Sequence, residues 1–220
     1  MILENHGFSR SFVVKRGFDL LVSALGLLVS SPLFLALATA IKLESKGPVF
    51  YRGLRVGRWG KSFRILKFRS MVQDAESKGA ASTSSSDSRV TRTGRFIRKY
   101  KLDELSQLIN VFVGDMSLVG PRPEVQKFVD LYTDEEKSIL TVPPGITDWA
   151  SIKFNNEGEI IEASGIEDAD EAYAKLIRPE KLRLQLKYVR ERNFWVDLRI
   201  LCQTLGTLLK TRTNMNELVD

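Results

Sequence analysis

The longest apolar stretch of the chain runs from Leu20 to Ile41, 22 consecutive residues without a charged side chain. As a helix it would reach about 33 Å, enough to cross a hydrocarbon core of roughly 30 Å. Pro32 lies near its middle, after Ser30 and Ser31, where it removes a backbone hydrogen bond and can bend a helix. The pattern predicts a membrane helix with a break at Ser31-Pro32, where serine hydroxyls take up the freed carbonyls.

Basic residues on both sides of this stretch favour a helix that enters and leaves the membrane on the same side. Arg10, Lys15 and Arg16 precede it, and nine basic residues against one acid follow between Lys42 and Arg69. A spanning helix would place one basic flank outside, which the positive-inside rule disfavours. Spanning remains an alternative. So does a signal peptide cleaved near residues 38–40, although the long apolar region and the basic sequence after it argue against export.

Beyond the membrane segment the pattern changes to short strands and amphipathic helices. Alternating apolar and basic residues from Phe63 to Phe68 predict a strand or an amphipathic edge that lies near lipid phosphates. Apolar residues at helical spacing predict a helix from about Leu102 to Val113 that ends at Gly114. Two more helices are predicted, from about Glu180 to Arg192 and from about Trp195 to Leu209. Residues 77–88, rich in Ser, Ala and Gly, predict a mobile loop.

The last predicted helix carries an apolar stripe formed by Trp195, Leu198, Cys202, Leu205 and Leu209. This spacing is typical of a core or partner-helix face, which would suit a homodimer. The alternative is an interfacial helix, because aromatic residues begin it and basic residues follow it.

These patterns predict a helix-dominated α/β fold with small strand pieces, built as a cytosolic lobe with amphipathic interfacial helices on a re-entrant membrane helix hairpin. The length of 220 residues suits one compact unit. We divide the chain into an N-terminal tail (1–14), the re-entrant helix (15–45), the cytosolic domain (46–210) and a C-terminal tail (211–220).

The amino-acid composition argues against several kinds of catalytic and metal site. The single cysteine, Cys202, excludes an intramolecular disulfide and any multi-cysteine metal site. The single histidine, His6, lies near the N-terminus, so Ser-His-Asp and Cys-His catalysis are disfavoured. An enzyme would depend on carboxylates, hydroxyls, Arg and Lys, and a hard cation bound by oxygen ligands.

The net charge of +6 is unevenly distributed. Six basic residues and no acid lie between Arg89 and Lys101, whereas eleven acids against two lysines lie between Asp134 and Glu171. One face can therefore meet an anionic surface while the other faces the cytosol.

The basic run is the first half of a candidate site. Arg89, Arg92, Arg95 and Arg98 recur every third residue, and guanidinium groups can each donate two hydrogen bonds to a phosphate. Asp103 and Glu104 follow at the predicted start of a helix. The arginines could instead be a solvated or lipid-facing patch, and the acids could merely complement the helix dipole. Side by side, carboxylates and cations could hold Mg²⁺ and a diphosphate, and the cations would keep an aspartate ionised and nucleophilic.

Seven segments together resemble the bacterial sugar transferase family, the small monotopic phosphoglycosyl transferases. They are Lys15-Arg16-x-x-Asp19, the apolar run with Ser31-Pro32, Lys67-Phe-Arg-Ser-Met71, Leu102-Asp-Glu-Leu-Ser-Gln-Leu108, Asn110-Val111, Gly114-Asp-Met-Ser-Leu-Val-Gly-Pro-Arg-Pro123 and Pro144-Gly-Ile-Thr-x-Trp149. The resemblance runs from about Lys15 to Lys210, and its motifs are long and in order.

The resemblance implies transfer of a sugar 1-phosphate from a UDP-sugar to undecaprenyl phosphate with release of UMP, the first membrane step of bacterial glycoconjugate synthesis. By that similarity Asp103 would form a covalent phosphosugar intermediate, and Asp103 and Glu104 would hold Mg²⁺ or Mn²⁺. Arg98, Arg95, Lys67 and Arg122 would bind phosphate or substrate. The expected location is the cytosolic face of the bacterial inner membrane, and membrane lipids are expected partners.

One segment departs from the family pattern. Many relatives have Gln-Val-Asn-Gly-Arg after the Trp149 motif, whereas this chain has Ser151-Ile-Lys-Phe-Asn155. The arginine that would touch the donor is absent, and Lys153 or Arg178 could replace it. The sugar is not assigned from this segment.

Two other classes of function remain as alternatives. A membrane-associated basic module could bind anionic lipid or nucleic acid through Arg89 to Lys101, although nucleic acid is not expected because only Phe96 and Tyr100 are interleaved there. An assembly scaffold could pair through the C-terminal stripe.

Overall fold

The computed structural model describes residues 10–73, 75 and 87–216. The predicted loop over 77–88, His6 and most of the predicted N-terminal tail lie wholly or largely outside the described residues. Nine α-helices lie in the described part: α1 (Arg10–Glu44), α2 (Arg92–Lys99), α3 (Gln107–Val113), α4 (Gln126–Val129), α5 (Trp149–Lys153), α6 (Glu157–Ala163), α7 (Ala169–Leu176), α8 (Arg178–Glu191) and α9 (Phe194–Asn216).

Within the described residues, four short strands form two separate two-stranded sheets. Strands β1 (Phe50–Val56) and β2 (Ser62–Phe68) are antiparallel, with Phe50 paired to Phe68 and Val56 to Ser62. Strands β3 (Ser117–Val119) and β4 (Gly145–Thr147) are parallel. The helix-dominated α/β prediction is confirmed, since 61% of the structure is helical.

Helix α1 remains helical through Pro32. Proline at this position cannot donate to the carbonyl of Leu28, and the Ser31 hydroxyl donates to that oxygen instead at 2.8 Å. The Ser31 hydroxyl thus takes up the carbonyl that Pro32 frees, as predicted, whereas Ser30 donates to Gly26 O, a carbonyl that Pro32 does not affect. Two helices joined by a turn at Ser31-Pro32 are not seen, since α1 is one continuous helix. It is long and apolar enough to cross a membrane, the one such helix in the part of the chain that the structure covers.

The N-terminal end of α1 is bound to the rest of the molecule by its own basic residues. Lys15 Nζ lies 2.6 Å from Asp197 Oδ2 and donates to Val119 O at 3.0 Å. Arg16 donates to the carbonyls of Val111 and Phe112 in the last turn of α3. Lys15 and Arg16 therefore bind carboxylate and carbonyl groups of the protein itself.

The C-terminal end of α1 is bound to the same lobe. Glu44 accepts from the backbone N–H groups of Arg92 (2.7 Å) and Thr93 (2.9 Å) at the start of α2. Arg69, just after β2, donates to Ser45 O at 2.8 Å. Below these polar contacts an apolar cluster joins α1 to β2 and α2, and its buried members are Leu37, Ile41, Phe68 and Ile97.

The centre of the lobe is a core shared by β2, α3, β3, α8 and α9. Its buried members are Ile65, Val111, Met116, Leu118, Val119, Tyr188 and Ile200. Sequence periodicity locates several of these elements well: β2 and α8 each begin and end within two residues of the predicted bounds, and α3 ends before Gly114 as predicted.

Two predicted helical features are wrong in detail. The helix predicted from Leu102 is a 3-10 turn (Leu102–Glu104) followed by the separate helix α3, because the backbone bonds here join residues three apart, Leu105 N to Leu102 O and Leu108 N to Leu105 O. The core interpretation of the α9 stripe is also wrong. Its described members lie outward, because the opposite face carries polar groups with hydrogen-bond partners, the buried Asp197 and the partly buried Thr204.

Candidate active site

Three segments bring four charged side chains together at the front of the lobe. Lys67 comes from the end of β2, Asp103 and Glu104 from the 3-10 turn between α2 and α3, and Arg122 from the segment after β3. We call these four residues the front cluster. All four were predicted from the sequence as site residues. The structure links them by three ion pairs, from Lys67 to Asp103 and to Glu104, and from Arg122 to Glu104.

Glu104 is held by two cations. Arg122 donates from both Nη atoms to its carboxylate, with 3.1 Å between Nη1 and Oε2, and Lys67 Nζ lies 3.3 Å from Oε1. Burial acts to raise the pKa of Glu104, but Arg122 and then Lys67 outweigh it, so that the pKa lies well below its ordinary value. Glu104 is therefore a permanent anion that orients the Arg122 guanidinium.

Asp103 is in a different state although it is the neighbouring residue. It is only 8% exposed, and the nearest cation, Lys67 Nζ, is 3.9 Å from Oδ2. Among the residues that the structure describes, none donates a hydrogen bond to its carboxylate. Burial raises the pKa of Asp103 above its ordinary value, against the opposing influence of Lys67. Its oxygens are therefore uncommitted and available to a ligand.

Arg98 reaches the site because α2 lies against the backbone of Ser70. A Cβ at Gly94 would be 1.9 Å from Ser70 O, so only glycine allows this approach. Arg98 Nε then donates to Ser70 Oγ at 3.0 Å. Burial lowers the pKa of Arg98, and the charge of Asp103 opposes that shift, although among the described residues the two side chains form no ion pair. Gly94, within the arginine run, is a sequence signal that could have identified this packing.

The other arginines of the predicted stripe are not assembled around the carboxylates. Arg95 is exposed, and within the described residues it pairs with neither Asp103 nor Glu104. Arg89 lies before α2 and pairs with Asp87 at 2.6 Å. The helix begins only at Arg92, which explains why the threefold spacing did not produce one continuous stripe.

The backbone of Arg122 is fixed from behind by residues that sequence reasoning missed. Gln185 Nε2 on α8 donates to Arg122 O at 3.3 Å and to Asp148 Oδ2 at 3.3 Å, and Asp148 also caps α5 by accepting from Ser151 N at 2.6 Å. An aspartate three residues before a serine is a helix-start signal that could have identified part of this support.

A second charged group lies directly behind the same segment. Glu124 is 5% exposed and Lys181 is 7% exposed; Lys181 Nζ lies 3.4 Å from Glu124 Oε1. The hydroxyls of Tyr173 and Tyr132 both donate to Glu124, and Lys181 donates to Tyr173 OH at 2.8 Å. We call Glu124, Tyr132, Tyr173 and Lys181 the back cluster. Burial and then the Glu124 charge raise the pKa of both tyrosines, so they stay protonated donors.

Neither residue suggested as a substitute for the absent arginine reaches the front cluster. Lys153 Nζ is paired with Glu180 at 2.6 Å, and Arg178 lies over the Tyr132 ring, 5.7 Å from its centroid. Lys101 is the cation that meets this segment, because its Nζ donates to Asn155 O at 2.6 Å. It also acts to lower the pKa of Glu104.

The donor set suits a divalent cation only in part. In the described portion of the chain, no three His, Cys, Asp or Glu side chains are grouped as a metal site. Asp103 and Glu104 provide two carboxylates, and both oxygens of Glu104 already accept from Arg122. Mg²⁺ commonly takes one or two carboxylates and completes its shell with water and substrate phosphate. The residues fit a cation that arrives with a diphosphate.

Comparison with known proteins gives one consistent family. A family model described as bacterial sugar transferase matches residues 10–211. The chain is 40% identical over 199 residues to the UDP-N-acetylgalactosamine-undecaprenyl-phosphate N-acetylgalactosaminephosphotransferase of Aeromonas hydrophila, covering 89% of this chain. It is 36% identical over 197 residues to the uncharacterized sugar transferase EpsL of Bacillus subtilis, covering 90% of this chain. It is 35% identical over 197 residues to the UDP-glucose:undecaprenyl-phosphate glucose-1-phosphate transferase of Escherichia coli, covering 88% of this chain.

The relatives differ in length. The matched region is 88% of EpsL, but only 44% of the Aeromonas protein and 39% of the Escherichia coli protein. The chain thus spans less than half of the Aeromonas and Escherichia coli proteins, whose names state a substrate.

Proposed function

Because this chain belongs to the bacterial sugar transferase family, we propose that it moves a sugar 1-phosphate from a UDP-sugar to undecaprenyl phosphate and releases UMP. The observation that carries the proposal is Asp103, a buried carboxylate with uncommitted oxygens, 3.9 Å from Lys67 Nζ; the charges of Arg98 and Arg122 also act to lower its pKa. The names of the Aeromonas and Escherichia coli relatives support the donor and acceptor classes. They differ in the sugar, so the sugar stays unassigned.

The proposed reaction has two displacements at one phosphorus. A carboxylate oxygen of Asp103 attacks the sugar-bearing phosphorus, the bond to the bridging oxygen breaks, and UMP leaves with that oxygen. An oxygen of undecaprenyl phosphate then attacks the same phosphorus and breaks its bond to Asp103, which yields the sugar-linked lipid diphosphate. Two steps let the soluble nucleotide depart before the lipid reacts.

The remaining residues of the front cluster have distinct proposed roles. Lys67 offsets the burial of Asp103 and so favours its ionised, nucleophilic form. Arg122 and Arg98 bind the diphosphate, and guanidinium N–H groups that already point at an anion require little rearrangement as charge develops. Glu104 holds Arg122 in place and assists the acceptor or the metal. Arg95, exposed one turn before Arg98, would bind substrate only at the rim.

Mg²⁺ would be held by Asp103 and Glu104 together with diphosphate oxygens. When bound, it would neutralise charge on the leaving nucleotide. Mn²⁺ would serve the same ligands.

We propose that both ends of α1 lie on the cytosolic side of the membrane and that its apolar middle enters the bilayer without a break in the helix. About 39 Å of helix separates Lys15 from Ile41, and both residues contact the same lobe. A helix perpendicular to the membrane would therefore carry polar parts of the lobe into hydrocarbon, which is costly. This contact pattern and the two basic flanks support a location on the cytosolic face of the bacterial inner membrane, with membrane lipids as partners.

The outward stripe of α9 supports an interfacial position for that helix. Trp195, Leu198 and Leu205 are exposed on it, and Phe194 packs against Phe18 of α1 at 5.4 Å between ring centroids. The stripe thus continues the apolar surface of the membrane helix. A homodimer through the same stripe is the competing arrangement, and crosslinking in nanodiscs would distinguish them.

The test is UMP release by the full chain held in nanodiscs with undecaprenyl phosphate, Mg²⁺ and a panel of UDP-sugars. We expect release that requires the lipid and one or a few of the sugars, that stops with a chelator, and that is absent in Asp103→Asn. Asp134→Asn is the matched control, since Asp134 is on the surface and pairs only with nearby Lys137. Retained release in Asp103→Asn would contradict the proposal.

A further inference from the structure

The N-terminal end of α1 is surrounded by aromatic and basic side chains that the proposed reaction does not use. Arg58 and Trp59 form the tip of the β1–β2 hairpin. The Arg58 guanidinium lies 5.0 Å from the ring centroid of Phe12, in the first turns of α1, and 4.9 Å from that of Trp59. The hairpin tip therefore contacts the beginning of the membrane helix.

The corner between α8 and α9 contacts the same end of α1. Phe194, the first residue of α9, packs edge-on against Phe18. Trp195 follows it, with 6.0 Å between the two ring centroids, and Arg192 precedes it at the end of α8. Two separate segments thus each bring one arginine and one tryptophan to a single place.

Both tryptophans are turned outward. Trp59 is 62% exposed and Trp195 is 75% exposed. Trp59 also has a left-handed backbone (φ 60°), a conformation that is rare for a bulky residue and is more often taken by glycine or asparagine. Neither core packing nor backbone geometry accounts for tryptophan at this position. Tryptophan is enriched where one side of a residue meets hydrocarbon and the other meets water.

In the described residues, no neighbouring carboxylate neutralises the positive charge of either arginine. Arg58 donates through Nε to Thr141 O at 3.0 Å and Arg192 donates to Val189 O, and within the described residues neither arginine has a carboxylate partner. The two segments are neighbours, because Val189, near the end of α8, packs on the apolar cluster that contains Val56, just before the hairpin tip. Burial lowers the pKa of Arg58, and repulsion from the positive charge of Arg192 lowers it further. An anion placed between or beside them would relieve that repulsion.

We propose that Arg58, Trp59, Arg192 and Trp195 form a membrane-surface anchor in which the tryptophans lie at the headgroup level and the arginines bind anionic lipid headgroups. The occupant is the bilayer surface because the patch contacts Phe12 and Phe18 of α1, the turns of the membrane helix in which Val13 and Val14 are exposed. The inference rests on the proposed insertion of α1 and is independent of the transfer reaction. Such an anchor fixes the depth of the lobe at one end of α1, while Glu44 and Arg69 tie the other end to α2 and β2.

The three tryptophans of the chain allow a direct measurement. The full chain is reconstituted in vesicles of phosphatidylglycerol and phosphatidylcholine whose acyl chains carry bromine near the headgroup, and quenching of tryptophan fluorescence is recorded. We expect strong quenching of the unaltered protein, partial loss in Trp59→Phe and in Trp195→Phe, and near-complete loss in the double variant. The remaining Trp149 is the internal control, because it packs on the central core against Tyr188.

A second pair of variants tests the arginines. In the unaltered protein, replacing phosphatidylglycerol with phosphatidylcholine should reduce the quenching of tryptophan fluorescence by bromine near the headgroup. In the double variant Arg58→Gln, Arg192→Gln, this quenching should not change on that replacement. Arg52→Gln with Arg190→Gln removes the same charge from an exposed strand position and from a surface pair with Glu135, and should behave like the unaltered protein. Equal dependence on phosphatidylglycerol in both double variants would overturn the role of the arginines.

The outcomes separate this inference from the proposed function. Two results would overturn the anchor. One is a chain that floats with the vesicles but whose tryptophan fluorescence is not quenched by bromine near the headgroup. The other is a Trp59→Phe, Trp195→Phe double variant that is quenched as strongly as the unaltered protein. A chain that does not float would contradict both the insertion of α1 and the anchor. Failure to release UMP from a chain that floats and is quenched would contradict the proposed reaction alone.

Discussion

The front and back clusters lie on opposite sides of one segment, and they handle charge differently. Arg122 points forward to Glu104, and Glu124, two residues later, points back to Lys181 and two tyrosine hydroxyls. In the back cluster every charged group is paired and almost completely buried. In the front cluster Asp103 has no hydrogen-bond donor among the described residues, and Lys67 remains 3.9 Å away.

The difference indicates which cluster binds substrate and which maintains shape. A sealed network of paired charges can fix a backbone but offers no free lone pair to a ligand. An incompletely satisfied carboxylate between cations is unfavourable in the free protein and gains its partners when a ligand arrives. We therefore expect front-cluster changes to act on turnover, and back-cluster changes to act on the free energy of unfolding.

Lys181→Met should have the largest effect on stability. It leaves the Glu124 carboxylate buried without its cation, which typically costs about 3–5 kcal/mol. The measurement is the unfolding midpoint and slope in denaturant, for protein in detergent. The double variant Lys181→Met, Glu124→Gln should recover part of the loss, since no uncompensated charge remains. A Lys181→Met protein as stable as the unaltered chain would show that the back cluster does not maintain the fold.

Lys67→Met is the matching change at the front. Loss of this cation removes the main influence that opposes the burial of Asp103, so UMP release should fall by about 10²- to 10³-fold, the usual cost of one electrostatic contact in an active site. The unfolding midpoint should change little, because Lys67 is partly exposed. If Lys67→Met loses stability and keeps its turnover per folded molecule, the assignment of the two clusters is reversed.

Arg122→Lys should have a smaller effect on turnover. The charge stays, but lysine cannot donate from two parallel N–H groups to Glu104 and still contact phosphate. Loss of one charged hydrogen bond, about 1.5–3 kcal/mol, corresponds to a fall of about 10- to 100-fold in kcat/KM. Initial rates across donor concentrations would measure it, with Arg183→Lys as the control at an exposed ion pair. Unchanged kcat/KM would refute phosphate binding by Arg122.

Tyr132→Phe should have the smallest effect. Its hydroxyl is 3.4 Å from Glu124, a long hydrogen bond, so we expect a loss of about 0.5–1.5 kcal/mol in the free energy of unfolding with normal turnover. Tyr173→Phe, which removes the shorter contact and the acceptor of Lys181, should cost more. A larger loss of unfolding free energy in Tyr132→Phe than in Tyr173→Phe would mean that Tyr132 contributes more than Tyr173 to the stability of the back cluster.

The sequence predicted the elements whose residues face one uniform environment. The uncharged run predicted α1, the alternation of apolar and basic residues predicted β2, and the spacing of apolar residues before Gly114 predicted the end of α3. The outward stripe of α9 was misjudged as a core face because hydrogen bonds from Lys15 and Tyr188 allow the opposite face to bury Asp197. Periodicity cannot detect such compensation, since the partners come from distant parts of the chain.

Separation along the sequence also decides which parts of the site could be predicted and which could not. Asp103, Glu104, Lys67 and Arg122 were identified because they lie in long motifs of the family that the chain resembles. The back cluster was missed because Glu124, Tyr132, Tyr173 and Lys181 are widely separated in sequence and look individually like surface residues. Arg95 was included because a threefold spacing does not tell which members of a basic run turn toward the carboxylates.

The most direct test of the central claim is the mass of the protein after mixing with a donor in the absence of undecaprenyl phosphate. The full chain in nanodiscs, incubated with Mg²⁺ and a UDP-sugar that supports UMP release, should gain the mass of one sugar phosphate, and peptide mapping should locate it on Asp103. The adduct should disappear when undecaprenyl phosphate is added and should be absent from Asp103→Asn. Full UMP release in the presence of lipid, with no adduct on Asp103 in its absence under rapid quenching, would contradict the account.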